Sequence, residues 1–142
     1  MVTSKFMTYF FIALGSALGG MARYWCSAAI ALRVGAGSPW LGIVAVNVIG
    51  SFLIGAALGV LEPGSRWTVS SLAREHINQF FMIGVLGGFT TFSSFSLWTL
   101  NLWRQHQWGQ ASANVALSIV LCLLAVSLGF WIVTVLTQAP RS

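Results

Sequence analysis

Acidic side chains are scarce in this sequence, which has seven lysines and arginines among 142 residues but only two aspartates and glutamates. Both acids, Glu62 and Glu75, fall between the apolar stretches. No nucleophile has a base beside it, no glycine-rich phosphate loop follows a strand pattern, and the two cysteines and two histidines are not at metal-binding spacing. An enzyme is therefore not expected.

Charge of either sign is also low, at 6% of residues against about a quarter in soluble domains. Hydrophobic residues make up 57% of the chain, and its mean hydropathy is +0.84. This composition predicts an integral protein of the lipid bilayer. The net charge of +5 arises from cations that stand singly along the chain, so nucleic acid is not expected as a partner.

The apolar residues leave room for four helical spans, because about 20 residues cross roughly 30 Å of hydrocarbon. We predict an all-α membrane protein with one domain over residues 1–142. Its four transmembrane helices should cover approximately residues 6–32, 40–61, 77–103 and 113–136. Ser70 or Ser71 is suited to cap a short interfacial helix just before the third span.

Small and polar residues recur at four-residue spacing on three predicted spans, which puts them on one helix face where helices can approach closely. Asn47 has two interpretations: a link between helices, worth on the order of 0.6–2 kcal/mol, or a pair of N–H donors for an anion. The stripes consist of Gly15 and Gly19, then Asn47, Ser51, Gly55 and Gly59, and finally Asn114, Ser118, Cys122 and Gly129.

The segment Gly84–Ser96, GVLGGFTTFSSFS, does not fit an ordinary lipid-facing helix. Its glycines weaken a helix, and its hydroxyls compete for backbone hydrogen bonds. A broken backbone survives in hydrocarbon only if it is buried in protein or lines a polar cavity. We therefore predict a functional interruption of the third helix near the membrane midplane. Its carbonyls could hold a small hard cation, or side chains and water could satisfy them.

Aromatic and basic residues near these features allow both structural and functional interpretations. Phe92 and Phe95 either pack or present positive ring edges to a small anion. Arg23, late in the first span, either reaches the interface or faces a polar vestibule.

The distribution of cations over the two predicted sides of the membrane is nearly balanced. One side has Lys5, Arg66, Arg74 and Arg141, and the other has Arg33 and Arg104, with Arg23 if it reaches that interface. Because loop cations set orientation, the chain could insert both ways and form an antiparallel homodimer. Four spans alone also leave little volume for a pathway.

The motifs together closely resemble those of the Fluc fluoride channels over essentially the whole chain. They are Gly19-x-x-x-Arg23, Asn47-Val-Ile-Gly-Ser-Phe52 and Gly84-x-x-Gly-Gly-x-Thr-Thr-Phe-Ser-x-Phe-Ser96. The resemblance implies a dual-topology, antiparallel homodimer that exports fluoride passively across an inner membrane. It also implies a structural Na⁺ at the dimer centre, held by backbone carbonyls of Gly87 and Thr90.

By the same resemblance, the fluoride pathway includes Asn47, Phe92 and Phe95, with Arg23 in the vestibule. We add the nearby hydroxyls of Thr91, Ser93 and Ser118 as candidate donors. The chain departs from the family pattern at Trp98, Asn114 and Cys122. These differences affect the expected lining of the outer part of the pathway. Two other functions remain open: a small dual-topology exporter of cationic drugs, which needs an acid inside a span, and a non-conducting assembly subunit.

Overall fold

The computed structural model describes residues 2–35, 38–62 and 70–137, and every regular element in these ranges is helical. The prediction of an all-α protein is confirmed for this part of the chain. Arg66 and Arg141, which entered the charge comparison, lie outside it. The elements are α1 (Val2–Val34), α2 (Trp40–Leu61), α3 (Ser71–Ile77), a π-helix (Asn78–Leu86), α4 (Gly87–Phe89), α5 (Phe92–Arg104) and α6 (Trp108–Thr137).

Four stretches of helix are long and apolar enough to cross a membrane, as a four-span membrane protein requires. They are Lys5–Val34, Trp40–Leu61, Ser71–Arg104 and Trp108–Thr137. The third of these, called the third span below, joins α3, the π-helix, α4 and α5. Ser70 caps it by accepting a hydrogen bond from Ala73 N at 3.3 Å.

The early start of the third span changes one expectation about the acids. The sequence predicts the capped helix and the third span as separate elements, with Glu75 outside the span. In the structure α3 runs directly into the π-helix at Asn78, so Glu75 belongs to the helical stretch itself. The reason is local, because Asn78 N donates to the carbonyls of Arg74 and Glu75 and continues the helix.

Helices α2 and α6 form the most extensive packing in the bundle, and they touch through glycines. A Cβ on Gly129 would overlap the carbonyl oxygen of Phe52, and a Cβ on Gly55 would overlap that of Val126. The backbones are therefore in direct contact, as small residues allow. The predicted small-residue faces of the second and fourth spans are the surfaces that meet.

Helix α1 packs against the π-helix in a similar manner. A Cβ on Gly15 would overlap the carbonyl oxygen of Phe80, and a Cβ on Gly84 would lie 3.0 Å from the Gly15 Cα. The Gly15-x-x-x-Gly19 pattern thus marks the face of α1 that meets the third span. Small residues on both sides permit this approach.

Much of the apolar surface of the single chain is exposed. Tyr24 is 79% exposed on α1, and Phe92 is 78% exposed at the start of α5. A small cluster is buried between α2, α5 and α6, where Trp40 packs with Leu102 and Ala111. Trp40 Nε1 also donates to Gln110 Oε1 at 2.9 Å. An exterior of this kind suits lipid or another protein surface rather than water.

Candidate functional site

The third span is not helical at Thr90 and Thr91. Helix α4 ends at Phe89, Thr90 adopts φ −82° and ψ 154°, Thr91 adopts φ −152° and ψ 117°, and α5 begins at Phe92. The Thr90 backbone N–H donates to the Leu86 carbonyl at 3.0 Å, and its hydroxyl donates to the same oxygen at 2.9 Å. Thr90 therefore closes the end of α4.

Asn47 on α2 supplies a partner for the Thr91 N–H, which has none in α5, and adds a donor to the Thr91 carbonyl. Its Nδ2 donates to the Thr91 carbonyl at 3.1 Å, and its Oδ1 accepts from the Thr91 N–H at 2.8 Å. One amide therefore pairs with both polar groups of one extended residue. An Asn side chain has two N–H donors, so one remains for a ligand.

Thr91 is also the N-cap residue of α5. Its Oγ1 accepts from the Ser94 backbone N–H at 3.2 Å, as an N-cap hydroxyl does. The same oxygen donates to Ser94 Oγ at 3.2 Å and lies 3.1 Å from Ser93 Oγ. These contacts engage both predicted pathway hydroxyls of the interruption, Thr91 and Ser93, in the local cap.

The interruption redirects two N–H groups that a continuous helix would donate to the carbonyls of Gly87 and Thr90. The Thr91 N–H goes to Asn47, and the Ser94 N–H goes to the Thr91 hydroxyl. Backbone oxygens relieved of helical partners are ligands that hard cations accept. The described residues contain no group of three His, Cys, Asp or Glu side chains that could hold a metal ion instead.

A cavity of about 410 Å³, called the central cavity below, lies beside the interruption. Five predicted pathway residues line it, namely Asn47, Thr91, Phe92, Phe95 and Ser118, and so does the predicted metal ligand Thr90. The rings of Phe92 and Phe95 are 5.3 Å apart between centroids and tilted by 44°. The remaining lining residues are Gly50, Ser51, Ile54, Ile119 and Cys122.

Three predicted residues do not line the central cavity. Ser93 is exposed, Gly87 is exposed at the start of α4, and Arg23 is half-buried on α1. The structure therefore groups the amide, the two rings and the span-four hydroxyl, and it leaves the arginine elsewhere.

Ser118 has the most distinctive polar atom of this cavity. Its residue is only 8% exposed, and its buried Oγ has no hydrogen-bond partner among the described residues. A buried hydroxyl without a partner costs about 1–3 kcal/mol. Ser118 lines the cavity, and its hydroxyl is therefore an unused donor beside it.

A second cavity of about 430 Å³ shares Phe95 with the central cavity. It is lined by Phe95, Ser96, Thr99, Leu100, Trp103 and Val115. One aromatic residue is thus a wall of both spaces, and its position affects both.

The Phe95 carbonyl is bonded by Thr99, which the sequence does not point to, and by Asn114, which the sequence marks only as a departure from the family pattern. Thr99 Oγ1 donates to the Phe95 carbonyl at 2.9 Å, and Asn114 Nδ2 donates to Thr99 Oγ1 at 2.8 Å and to the Phe95 carbonyl at 3.4 Å. Asn114 is 0% exposed, and its Oδ1 has no partner among the described residues. The available signals were the four-residue spacing from Phe95 to Thr99 and from Asn114 to Ser118.

Glu75 belongs to a separate cavity of about 220 Å³ near the start of the third span. Its Oε1 accepts from Gln79 Nε2 at 2.8 Å, and Thr8 and His76 also line the space. At 1.5 Å per helical residue, Glu75 lies roughly 20 Å along the span from the interruption. The acid is therefore distant from the central cavity.

Four apolar helical stretches with a partly polar cavity beside the third span define a multi-pass membrane protein with a polar site. Residues 10–130 match the family model described as CrcB-like protein, Camphor Resistance (CrcB). The chain belongs to this family.

Relatives from several bacteria are similar to the chain over most of its length. A protein of Methylocella silvestris is 49% identical over 132 residues, which are 93% of this chain and 97% of the relative. One of Opitutus terrae is 51% identical over 121 residues, covering 85% and 88%, and one of Rhodospirillum rubrum is 49% identical over 123 residues, covering 87% and 92%. Each is named fluoride-specific ion channel FluC. The family resemblance seen in the motifs is confirmed, as is the expectation that the chain is not an enzyme.

Proposed function

We propose that this chain is a fluoride-selective channel that lets fluoride leave the cell passively across the inner membrane and so lowers cytoplasmic fluoride. The observation that carries the proposal is the lining of the central cavity. It combines an amide with one remaining N–H, the buried unpartnered hydroxyl of Ser118 and the rings of Phe92 and Phe95. Ring edges and N–H or O–H donors attract an anion without a formal positive charge. The names of the relatives agree with this assignment.

We further propose that the working unit is an antiparallel homodimer with the interruption near the membrane midplane. This proposal is supported by Phe92, which lines the central cavity although it is 78% exposed in the single chain. An interrupted backbone beside such a residue would otherwise meet lipid, which is unfavourable. A second copy of opposite orientation would cover this surface. Of the described cations, Lys5 and Arg74 are assigned to one side and Arg33 and Arg104 to the other, which Arg23 joins if it reaches that interface.

A structural Na⁺ at the centre of that dimer fits the donor set of the interruption. The carbonyls of Gly87 and Thr90 would hold it, since the N–H groups of Thr91 and Ser94 donate elsewhere. The ion would supply positive charge that fixes the two interruptions against each other. It is a structural ion and is not transported.

The first test is fluoride efflux from proteoliposomes, followed with a fluoride electrode. Wild-type protein should release fluoride passively, selectively and without a proton gradient. Phe92→Ile and Phe95→Ile keep bulk but remove the ring edge, so each should lower efflux at least tenfold, which corresponds to ~1.4 kcal/mol. Phe6→Ile, on the exposed face of α1, is the matched control and should conduct normally.

The same measurement separates the other candidate functions. Proton-dependent release of organic cations would support a drug exporter, although no acid is among the residues that line the central cavity. A wild-type protein that releases no fluoride would support an assembly subunit. Wild-type efflux together with unchanged Phe92→Ile and Phe95→Ile variants would remove the rings from the mechanism.

The second test concerns the proposed ion. Replacing Na⁺ on both sides of the vesicle with N-methylglucamine, which is too large for a site between carbonyls, should impair efflux. Restoring Na⁺ should recover it. A wild-type rate after thorough Na⁺ removal would contradict the structural-ion proposal and leave the channel proposal standing.

A further inference from the structure

Among the residues that the structure describes, Phe95 alone lines both the central cavity and the second cavity, and its carbonyl is bonded by two side chains. We propose that Asn114 and Thr99 are positioning residues that fix the Phe95 ring between these cavities and thereby set the rate and selectivity of conduction. This inference rests on the proposed channel function. It assigns both residues an action through Phe95, not contact with the anion.

The hydrogen-bond directions define a chain of contacts from α6 to the first turns of α5. The Thr99 hydroxyl has one proton, which it gives to the Phe95 carbonyl at 2.9 Å. Thr99 Oγ1 must then accept from Asn114, and the 2.8 Å contact therefore fixes Nδ2 as the donor. The Asn114 amide also reaches the Phe95 carbonyl directly at 3.4 Å.

The burial of Asn114 argues against a purely structural role. The residue is 0% exposed, and its Oδ1 is buried without a partner among the described residues. A leucine of similar size would leave no such atom. The amide oxygen therefore adds no hydrogen bond among the described residues, and what the side chain contributes through its nitrogen is the location of the Phe95 turn.

The same face of α6 performs two tasks at successive helical turns. Asn114 bonds the Phe95 turn, and Ser118, four residues later, lines the central cavity and has a buried hydroxyl without a partner among the described residues. Positions four apart lie on one helix face. The position of the Phe95 ring and the position of the Ser118 side chain thus both depend on α6. The packing of α6 therefore sets the distance between them.

The test compares Asn114→Leu and Thr99→Val with two matched variants in the fluoride-efflux assay. Each of the first two should lower efflux about tenfold and raise relative chloride permeability. Their double variant should lose little more, because residues of one hydrogen-bond chain are non-additive. Thr99→Ser keeps the hydroxyl that donates to the Phe95 carbonyl, so its fluoride efflux should stay within about twofold of wild type. Thr134→Val removes another buried unpartnered hydroxyl from α6 and should conduct normally.

A second readout does not depend on conduction. With 4-fluorophenylalanine at position 95, the ¹⁹F resonance recorded without fluoride should shift in Asn114→Leu and Thr99→Val but not in Thr134→Val. The thermal midpoint of Asn114→Leu should be equal to or above that of wild type, since the unpartnered oxygen is gone.

Several outcomes would overturn the inference. Unchanged efflux and an unchanged ¹⁹F resonance in Asn114→Leu and Thr99→Val would do so, as would efflux losses that only follow a lowered thermal midpoint. If wild-type vesicles release no fluoride, the proposed function fails instead, and the ¹⁹F shift still reports whether the two residues position Phe95.

Discussion

The crossing of α2 and α6 and the interruption of the third span solve opposite problems within one bundle. At Gly55 and Gly129 two regular backbones touch, and no side chain stands between them. At Thr90 and Thr91 the backbone is irregular, and side chains replace the missing helical bonds. At the crossing, the backbones are in close contact and keep their own helical hydrogen bonds. At the interruption, side chains take over backbone hydrogen bonds beside a cavity.

The difference shows how the residues of the central cavity depend on the α2–α6 crossing, called the frame below. Asn47 bonds Thr91 from α2, the same helix that Gly55 holds against α6. Ser118 reaches the central cavity from α6, on the other side of that crossing. Close backbone packing thus fixes the two helices whose side chains complete the interrupted segment. The frame and the site should respond differently to substitution.

Breaking the frame should have the largest effect. Gly129→Val would push a side chain into the Phe52 carbonyl, and we expect a loss of about 3 kcal/mol or more, at the upper end of overpacking. Thermal unfolding in detergent and size-exclusion chromatography measure it. Gly20→Ala is the control, because nothing lies within 4 Å of a Cβ there. A Gly129→Val protein with wild-type stability would mean that this crossing is not tight.

Breaking the exchange at the interruption should have the next largest effect. Asn47→Leu leaves the buried Thr91 N–H without its partner, at about 1–3 kcal/mol, and removes the amide donor from the Thr91 carbonyl. Fluoride efflux should be lost together with this stability. Ser51→Ala, on the same face of α2 and also beside the central cavity, should change unfolding by less than about 1 kcal/mol. Equal effects of the two variants would contradict the special role of Asn47.

Removing caps should have the smallest effects and sharpen the comparison within the third span. Thr91 and Ser70 make similar caps, at 3.2 Å to Ser94 N and 3.3 Å to Ala73 N. Thr91 is 7% exposed while Ser70 is exposed to solvent. We expect Thr91→Ala to cost about 1–2 kcal/mol and Ser70→Ala about 0.5 kcal/mol. Hydrogen exchange at Ser94 and Ala73 measures each cap, and the reverse order would contradict the burial argument.

The sequence predicts an interruption in the third span because the chemical conflict there is local. Glycines and hydroxyls disagree with an apolar helix wherever the helix is placed. The family resemblance, with the hydroxyls added to it, indicates Asn47, Phe92, Phe95 and Ser118, which the structure brings to one cavity. Neither predicts the contact between Thr99 and Asn114, because it depends on how α6 is rotated against α5. Arg23 belongs to the same set of motifs, but it does not line the central cavity.

The sequence by itself determined that this protein is a bundle of apolar helices with a weak point in the third span. These properties are sums over neighbouring residues, so composition and spacing report them. Only the tertiary structure decided that Asn47 pairs with Thr91, 44 residues away, and that Asn114 reaches the turn of Phe95. Hydrogen bonds act over about 3 Å and in fixed directions. Helix rotation and the depth of the glycine crossings therefore had to be set before those partners could meet.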